Sequence, residues 1–204
     1  MTRIKICGNT EPAGVERAVE LGVDWLGFIF TRSKRQVTVA QAGALVARIP
    51  PGIGRVGVFI DEPAEVIAQV VDACALTAVQ VYRPRQPEDR VIRVPWIQAV
   101  RMRDGATDPP VEAAAGELLL VDSWSAGSDG GGSGTPWNWA LARELGERHR
   151  LLLSGGLAAD NVARGIRQLH PFGVDVSSGV EAAPGVKDLD RLTRFVEAVR
   201  EADA

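Results

Sequence analysis

Eight short apolar runs, amphipathic stretches between them and a length of 204 residues predict an α/β fold. The expected architecture is a TIM (β/α)8 barrel, one domain over residues 1–204, with shortened fourth and fifth helices. The runs fall at residues 4–7, 25–30, 56–60, 78–81, 96–102, 118–122, 151–154 and 173–176. They are rich in Val, Ile and Leu and show little polar alternation. Strands buried on both faces have this pattern, as in a parallel sheet covered by helices. Between the runs, Val66, Ile67, Val70, Val71 and Cys74 are expected on one helical stripe. Leu189, Leu192, Phe195, Val196 and Val199 are expected on another. Pro12 and Pro63 stand where first turns should begin, where a missing N–H is tolerated. The fourth and fifth helical slots, around residues 84–90 and 108–116, are short or irregular.

Composition narrows the function. Hydrophobic residues make up 46% and charged residues 24%, with a net charge of −3, so no basic field exists to attract nucleic acid. No apolar run reaches the roughly 18 residues a membrane helix needs. Two cysteines are too few for a disulfide scaffold. Two histidines, His149 and His170, offer no spacing for zinc, so no metal site is expected. The opening MTRIKICG is too short and too charged for a signal peptide. A cytoplasmic location is therefore expected.

The polar residues at the ends of the runs carry the chemistry. Cys7 ends the first run, where barrel enzymes place catalytic groups; the alternative is a small buried core residue. Cys74, on an apolar stripe, reads as core. Asp122 ends the sixth run after four apolar residues, either as a functional carboxylate or as a cap. Gly155 and Gly156 follow the seventh run, and Ser177, Ser178 and Gly179 follow the eighth. Backbone N–H groups exposed by small residues bind phosphate well, and these two loops are the usual barrel phosphate site. The alternative is a pair of tight turns. Lys5 shares a strand face with Cys7, and closure would bring it beside Asp175. Each would be costly alone inside the barrel, so the two are expected to pair, unless Lys5 points outward. A nearby ammonium would also favour a Cys7 thiolate. Arg35 is either solvated or holds a carboxylate in its fork. The glycine-rich stretch 125–134 is either a plain loop or a lid over the active face.

Read in order, these segments form a pattern: KICGNT at 5–10, GFIF with SKR and Val37, RVGVF at 55–59, AVQ at 78–80, LLLVDS, GGSGTPWNW, LLLSGGLAADNV and GVDVSSGVEAAPGVKD. Across essentially the whole chain it resembles the phosphoribosylanthranilate isomerase family of tryptophan biosynthesis. The resemblance implies an Amadori rearrangement of N-(5-phosphoribosyl)anthranilate, with Cys7 as general base and Asp122 as general acid. It implies that Arg35 meets the anthranilate carboxylate and that Asp175 lies near the sugar hydroxyls. Gly155, Gly156, Ser178 and Gly179 would hold the phosphate. An iminium would serve as electron sink, so no cofactor is implied; the partner would be a small-molecule phosphosugar, on a monomer or homodimer. A free carboxyl titrates near about 3.9 and a free thiol near about 8.5, so the Asp122 pKa should be raised and that of Cys7 lowered.

The chain departs from the family at four places, one of them the unusually glycine-rich loop after the sixth run. Val81, Tyr82 and Arg83 follow AVQ where Leu-His-Gly is usual. Gln36 stands where an aromatic residue is frequent, and Asn138 replaces an Asp. Two other readings compete. One is a related aminoaldose isomerase of histidine biosynthesis, against which Cys7 argues, because those enzymes end the first strand in Asp. The other is a non-catalytic barrel that binds phosphate ligands.

Overall fold

The computed structural model describes residues 1–103, 105–123 and 137–204. The glycine-rich stretch 125–134 lies outside the described residues. Eight parallel strands close on themselves: β1 (Arg3–Ile6), β2 (Trp25–Ile29), β3 (Gly54–Phe59), β4 (Ala78–Val81), β5 (Trp96–Arg103), β7 (Leu118–Ser123), β8 (Arg150–Leu153) and β9 (Gly173–Val176). The ring shuts where β1 pairs with β9, with Lys5 opposite Asp175. The structure is thus the TIM barrel that the sequence predicts.

Alternate residues of each strand face opposite ways. Ile4, Ile6, Leu26 and Phe28 face the helices, where they join the main core. Val56, Val58, Ala78, Ile97, Ala99, Leu120 and Leu152 fill the barrel with Cys7. Both faces are dry, which is why the strands read as continuous apolar runs.

The helices lie on the outside: α1 (Pro12–Glu20), α2 (Val39–Val46), α3 (Ala64–Ala73), α4 (Arg143–Arg148), α5 (Val162–Leu169) and α6 (Leu189–Ala202). Pro12 occupies the first turn of α1, as expected, whereas Pro63 is the N-cap of α3. Thr38 and Gln41 form a reciprocal capping box on α2, satisfying two otherwise orphaned N–H groups. Two expected core positions need correction. Val66 and Leu189 are 42% and 41% exposed. On α3 Ala64 is buried, and then Ile67, Val70, Val71 and, just past the helix end, Cys74. That i, i+3, i+4, i+7 stripe leaves Val66 about 100° to one side. No helix among the described residues is long and apolar enough to cross a membrane.

The irregular slots have physical causes. The fourth holds a 3-10 turn, Pro87–Val91, clamped by Arg83 donating to both oxygens of Asp89 at 2.6 and 2.8 Å. The fifth shows no helix among the described residues. A short strand, β6 (Ala106–Asp108), folds back antiparallel on β5, and the consecutive Pro109 and Pro110 disfavour a helix after it. Gln98 satisfies that segment's backbone instead: it donates to Pro110 O at 2.8 Å and accepts from the Glu112 and Ala113 N–H groups. A hairpin after β9, β10 (Glu181–Ala183) with β11 (Val186–Lys187), had no counterpart in the sequence reading.

Candidate active site

The floor of the site is an ion pair inside the barrel. Lys5, fully buried, donates to Asp175 Oδ1 at 2.7 Å. Ser154, from the end of β8, donates to Asp175 Oδ2 at 3.0 Å. The expected Lys5–Asp175 pair is therefore present, and closure creates it. Burial disfavours the Lys5 charge, but Asp175 and Cys7 outweigh it and hold the pKa above its ordinary value. Gly27 makes room for the group. A Cβ there would lie 2.8 Å from Cys7 Sγ and 3.1 Å from Lys5 Nζ.

Cys7 sits one residue beyond β1, above Lys5. Its carbonyl accepts from Lys187 Nζ at 2.5 Å, and Lys187 also donates to Glu181 at 2.9 Å. Glu181 in turn accepts from Arg35, Nε at 2.9 and 3.0 Å and Nη2 at 2.7 Å. Gly8, at φ +72°, lets the Arg35 stem pass; a Cβ there would meet Arg35 Cδ at 2.6 Å. Arg35 holds a carboxylate in its fork, that of Glu181, so only Nη1 remains without an acceptor among the described residues. One expectation is corrected here: the Cys7 pKa is raised, not lowered. Burial of the thiolate costs more than Lys5 returns, because the Lys5 charge is shared with Asp175, whose carboxylate repels a thiolate.

Asp122 enters from the end of β7 and is buried. Its Oδ1 accepts from the Ser123 N–H at 2.7 Å, and its Oδ2 from the Tyr82 hydroxyl at 3.2 Å. Burial, reinforced by the Asp175 charge, raises its pKa to about 6 against the pull of those two donors. The expectation for the carboxyl thus agrees with the structure in direction.

The two Gly-containing loops form one wall. Gly155 and Gly156 have φ of +84° and +69°, a region costly for side-chain-bearing residues. Their N–H groups find no acceptor among the described residues, which leaves them free to bind an anion. Gly179 does not line the cavity. It lets the loop after β9 press against the loop after β8, since a Cβ there would fall 1.9 Å from Leu157 O.

Cys7, Asp122, Arg35, Asp175, Gly155, Gly156 and Ser178 share one cavity of about 500 Å³, part of it open to solvent. Ser177, already placed in the loop after the eighth run, also lines it, as do Gln80, Tyr82 and Ser154, to which sequence reasoning gave no role in the site. Inward parity on β4 could have pointed to Gln80 and Tyr82. Glu181 and Lys187 had no sequence signal beyond their place in a motif.

A thiol and a carboxyl of raised pKa beside glycine N–H groups that find no acceptor among the described residues, at the C-terminal mouth of a closed barrel, are the arrangement of a TIM-barrel enzyme. The family model for N-(5'-phosphoribosyl)anthranilate (PRA) isomerase matches residues 4–198. The chain is 41% identical over 203 residues to N-(5'-phosphoribosyl)anthranilate isomerase of Pelobacter propionicus, covering 98% of this chain and 97% of that one. The crystal structure of phosphoribosyl anthranilate isomerase from Thermotoga maritima superposes with a TM-score of 0.85 at 34% identity, covering 98% of this chain and 100% of that one. Another such isomerase, bound to reduced 1-(o-carboxyphenylamino)-1-deoxyribulose 5-phosphate, gives 0.81 at 32% identity with the same coverage. The chain belongs to the phosphoribosylanthranilate isomerase family.

Proposed function

We propose that the protein isomerises N-(5'-phosphoribosyl)anthranilate to 1-(2-carboxyphenylamino)-1-deoxyribulose 5-phosphate in tryptophan biosynthesis, with Asp122 as general acid and Cys7 as general base. The supporting observation is that these two groups share the cavity beside the glycine loops, and that Asp122 is the carboxyl there whose pKa is raised, whereas Asp175 is ion-paired with Lys5. One domain over residues 1–204, in the cytoplasm, carries the reaction, and its partner is the small phosphosugar.

Protonated Asp122 donates to the furanose ring oxygen. The C1′–O bond breaks, and the nitrogen lone pair forms a C=N⁺ bond. That cation draws electrons from C2′ and favours a thiolate nearby. Cys7 then removes the C2′ proton, leaving a neutral enolamine that tautomerises to the ketone. Gly155 and Gly156 N–H groups, with the Ser178 loop, bind the phosphate. Arg35 meets the anthranilate carboxylate through Nη1 alone. Asp175 keeps lone pairs for sugar hydroxyls after accepting from Lys5 and Ser154.

The test is turnover of phosphoribosylanthranilate, followed by loss of its fluorescence, beside turnover of the histidine-pathway aminoaldose. Turnover of the first alone is expected. No turnover of either by the folded protein would sink the reading in favour of a binding barrel. The phosphate wall has its own test. Gly179→Ala forces two backbone segments apart, so KM should rise about tenfold or more, with a stability loss of about 1–3 kcal/mol. An unchanged KM would show that the Gly179 contact with Leu157 does not shape the phosphate wall.

A further inference from the structure

The strand β4 departure from the family sits against the proposed acid. Tyr82, just past the end of β4, donates to Asp122 Oδ2 on β7 at 3.2 Å, past the one intervening strand β5. Gln80 Nε2 donates to the same phenol oxygen at 3.4 Å. The Arg101 guanidinium lies over the phenol ring, 4.4 Å from its centroid, a favourable cation–π geometry. Tyr82 is buried.

We infer that Tyr82 is a positioning residue for Asp122: its hydroxyl fixes one carboxyl oxygen and aims the acidic proton into the cavity. Oδ1 accepts from both the Ser123 N–H and, at 3.4 Å, the Ser123 hydroxyl, which occupy its two lone-pair sites, whereas Oδ2 accepts from Tyr82. The acidic proton therefore resides on Oδ2. One lone-pair site of Oδ2 faces Tyr82, leaving the other for the proton passed to substrate. A hydrogen bond to a carboxylate is stronger than one to a neutral acid. The Tyr82 bond therefore tightens as the proton leaves, and it makes Asp122 a better donor. Burial, with the Asp122 charge, pushes the Tyr82 pKa well above its ordinary value, so the phenol keeps its proton throughout the working range. Arg101, over the ring, polarises the O–H toward the carboxylate.

The inference rests on Asp122 being the acid. The experiment compares wild type, Tyr82→Phe and Tyr82→His by pH profiles of kcat and kcat/KM, with melting curves. Phenylalanine keeps the ring under Arg101 and loses only the hydroxyl. The acid-side inflection of kcat/KM, near the Asp122 pKa of about 6, should move up by about one unit in Tyr82→Phe. At pH 5 Asp122 is protonated in both proteins. There kcat should fall about tenfold, the loss of one hydrogen bond to a charged group, with KM little changed. Histidine can supply an N–H from the same position and should restore much of both. An unmoved inflection in an active Tyr82→Phe protein would overturn the role of Tyr82 alone, as would a histidine variant displaced as far as phenylalanine. An inactive wild type would instead end the proposed function.

Discussion

Replacing Asp122 with asparagine is expected to lower kcat/KM by about 10³-fold and, above pH 6, to stabilise the fold. The two effects share one cause. Asp122 is buried beside Asp175, and its pKa is about 6 in the folded protein against 3.8 for the free group. The folded state therefore binds more protons than the unfolded chain between those values. Stability falls as pH rises from about 4 to about 6 and stays low beyond, by about 3 kcal/mol for two pKa units. Asparagine cannot ionise, so it escapes that cost. It also keeps an oxygen for the Ser123 N–H and can donate to the Tyr82 oxygen. Scanning calorimetry should give the variant a melting temperature several degrees above wild type at pH 8 and little difference near pH 4. An offset equal at both pH values would show that ionisation is not the source. A variant with wild-type turnover would exclude Asp122 as the acid.

Cys7→Ser should lower turnover by a comparable factor, since a hydroxyl is a far weaker acid than a thiol and rarely ionises. The pH profile carries more information than the loss. In the free enzyme the Cys7 thiol lies above its ordinary 9.0 and Asp122 near 6. At pH 7–8 most molecules hold thiol with carboxylate, the wrong state of both groups. Productive molecules, with thiolate and carboxylic acid, are a minority whose share is constant between the two pKa values. Below 6, Asp122 is protonated and the thiolate falls tenfold per pH unit. Above the Cys7 value the thiolate is complete and protonated Asp122 falls instead. The acid-side inflection of kcat/KM should therefore report the acid, and the alkaline one, above pH 9, the base. Cys7→Ser should lose the alkaline inflection and keep the acid one. If the alkaline limb survived in the residual activity, Cys7 would not be its source.

Much of the architecture and site is legible in single residues. Strands dry on both faces must be apolar throughout, so eight runs announce eight barrel strands. Asp122, closing an apolar run, has few structural reasons to be there. Lys5 and Asp175 follow from parity plus closure, because neither charge could stay inside the barrel alone. What stayed hidden depends on neighbours distant in sequence. Tyr82 reaches Asp122 across 40 residues of chain, between two strands that flank β5, a placement set by the order of strands in the sheet. Glu181 takes the Arg35 fork because a two-strand hairpin folds it back over the mouth. The sign of the Cys7 shift is a contest between burial and several surrounding charges. The order of residues thus determined the fold and which groups meet at the barrel mouth. Only the tertiary structure decided their protonation and partners, because desolvation and Coulomb energies depend on distances that no spacing along the chain encodes.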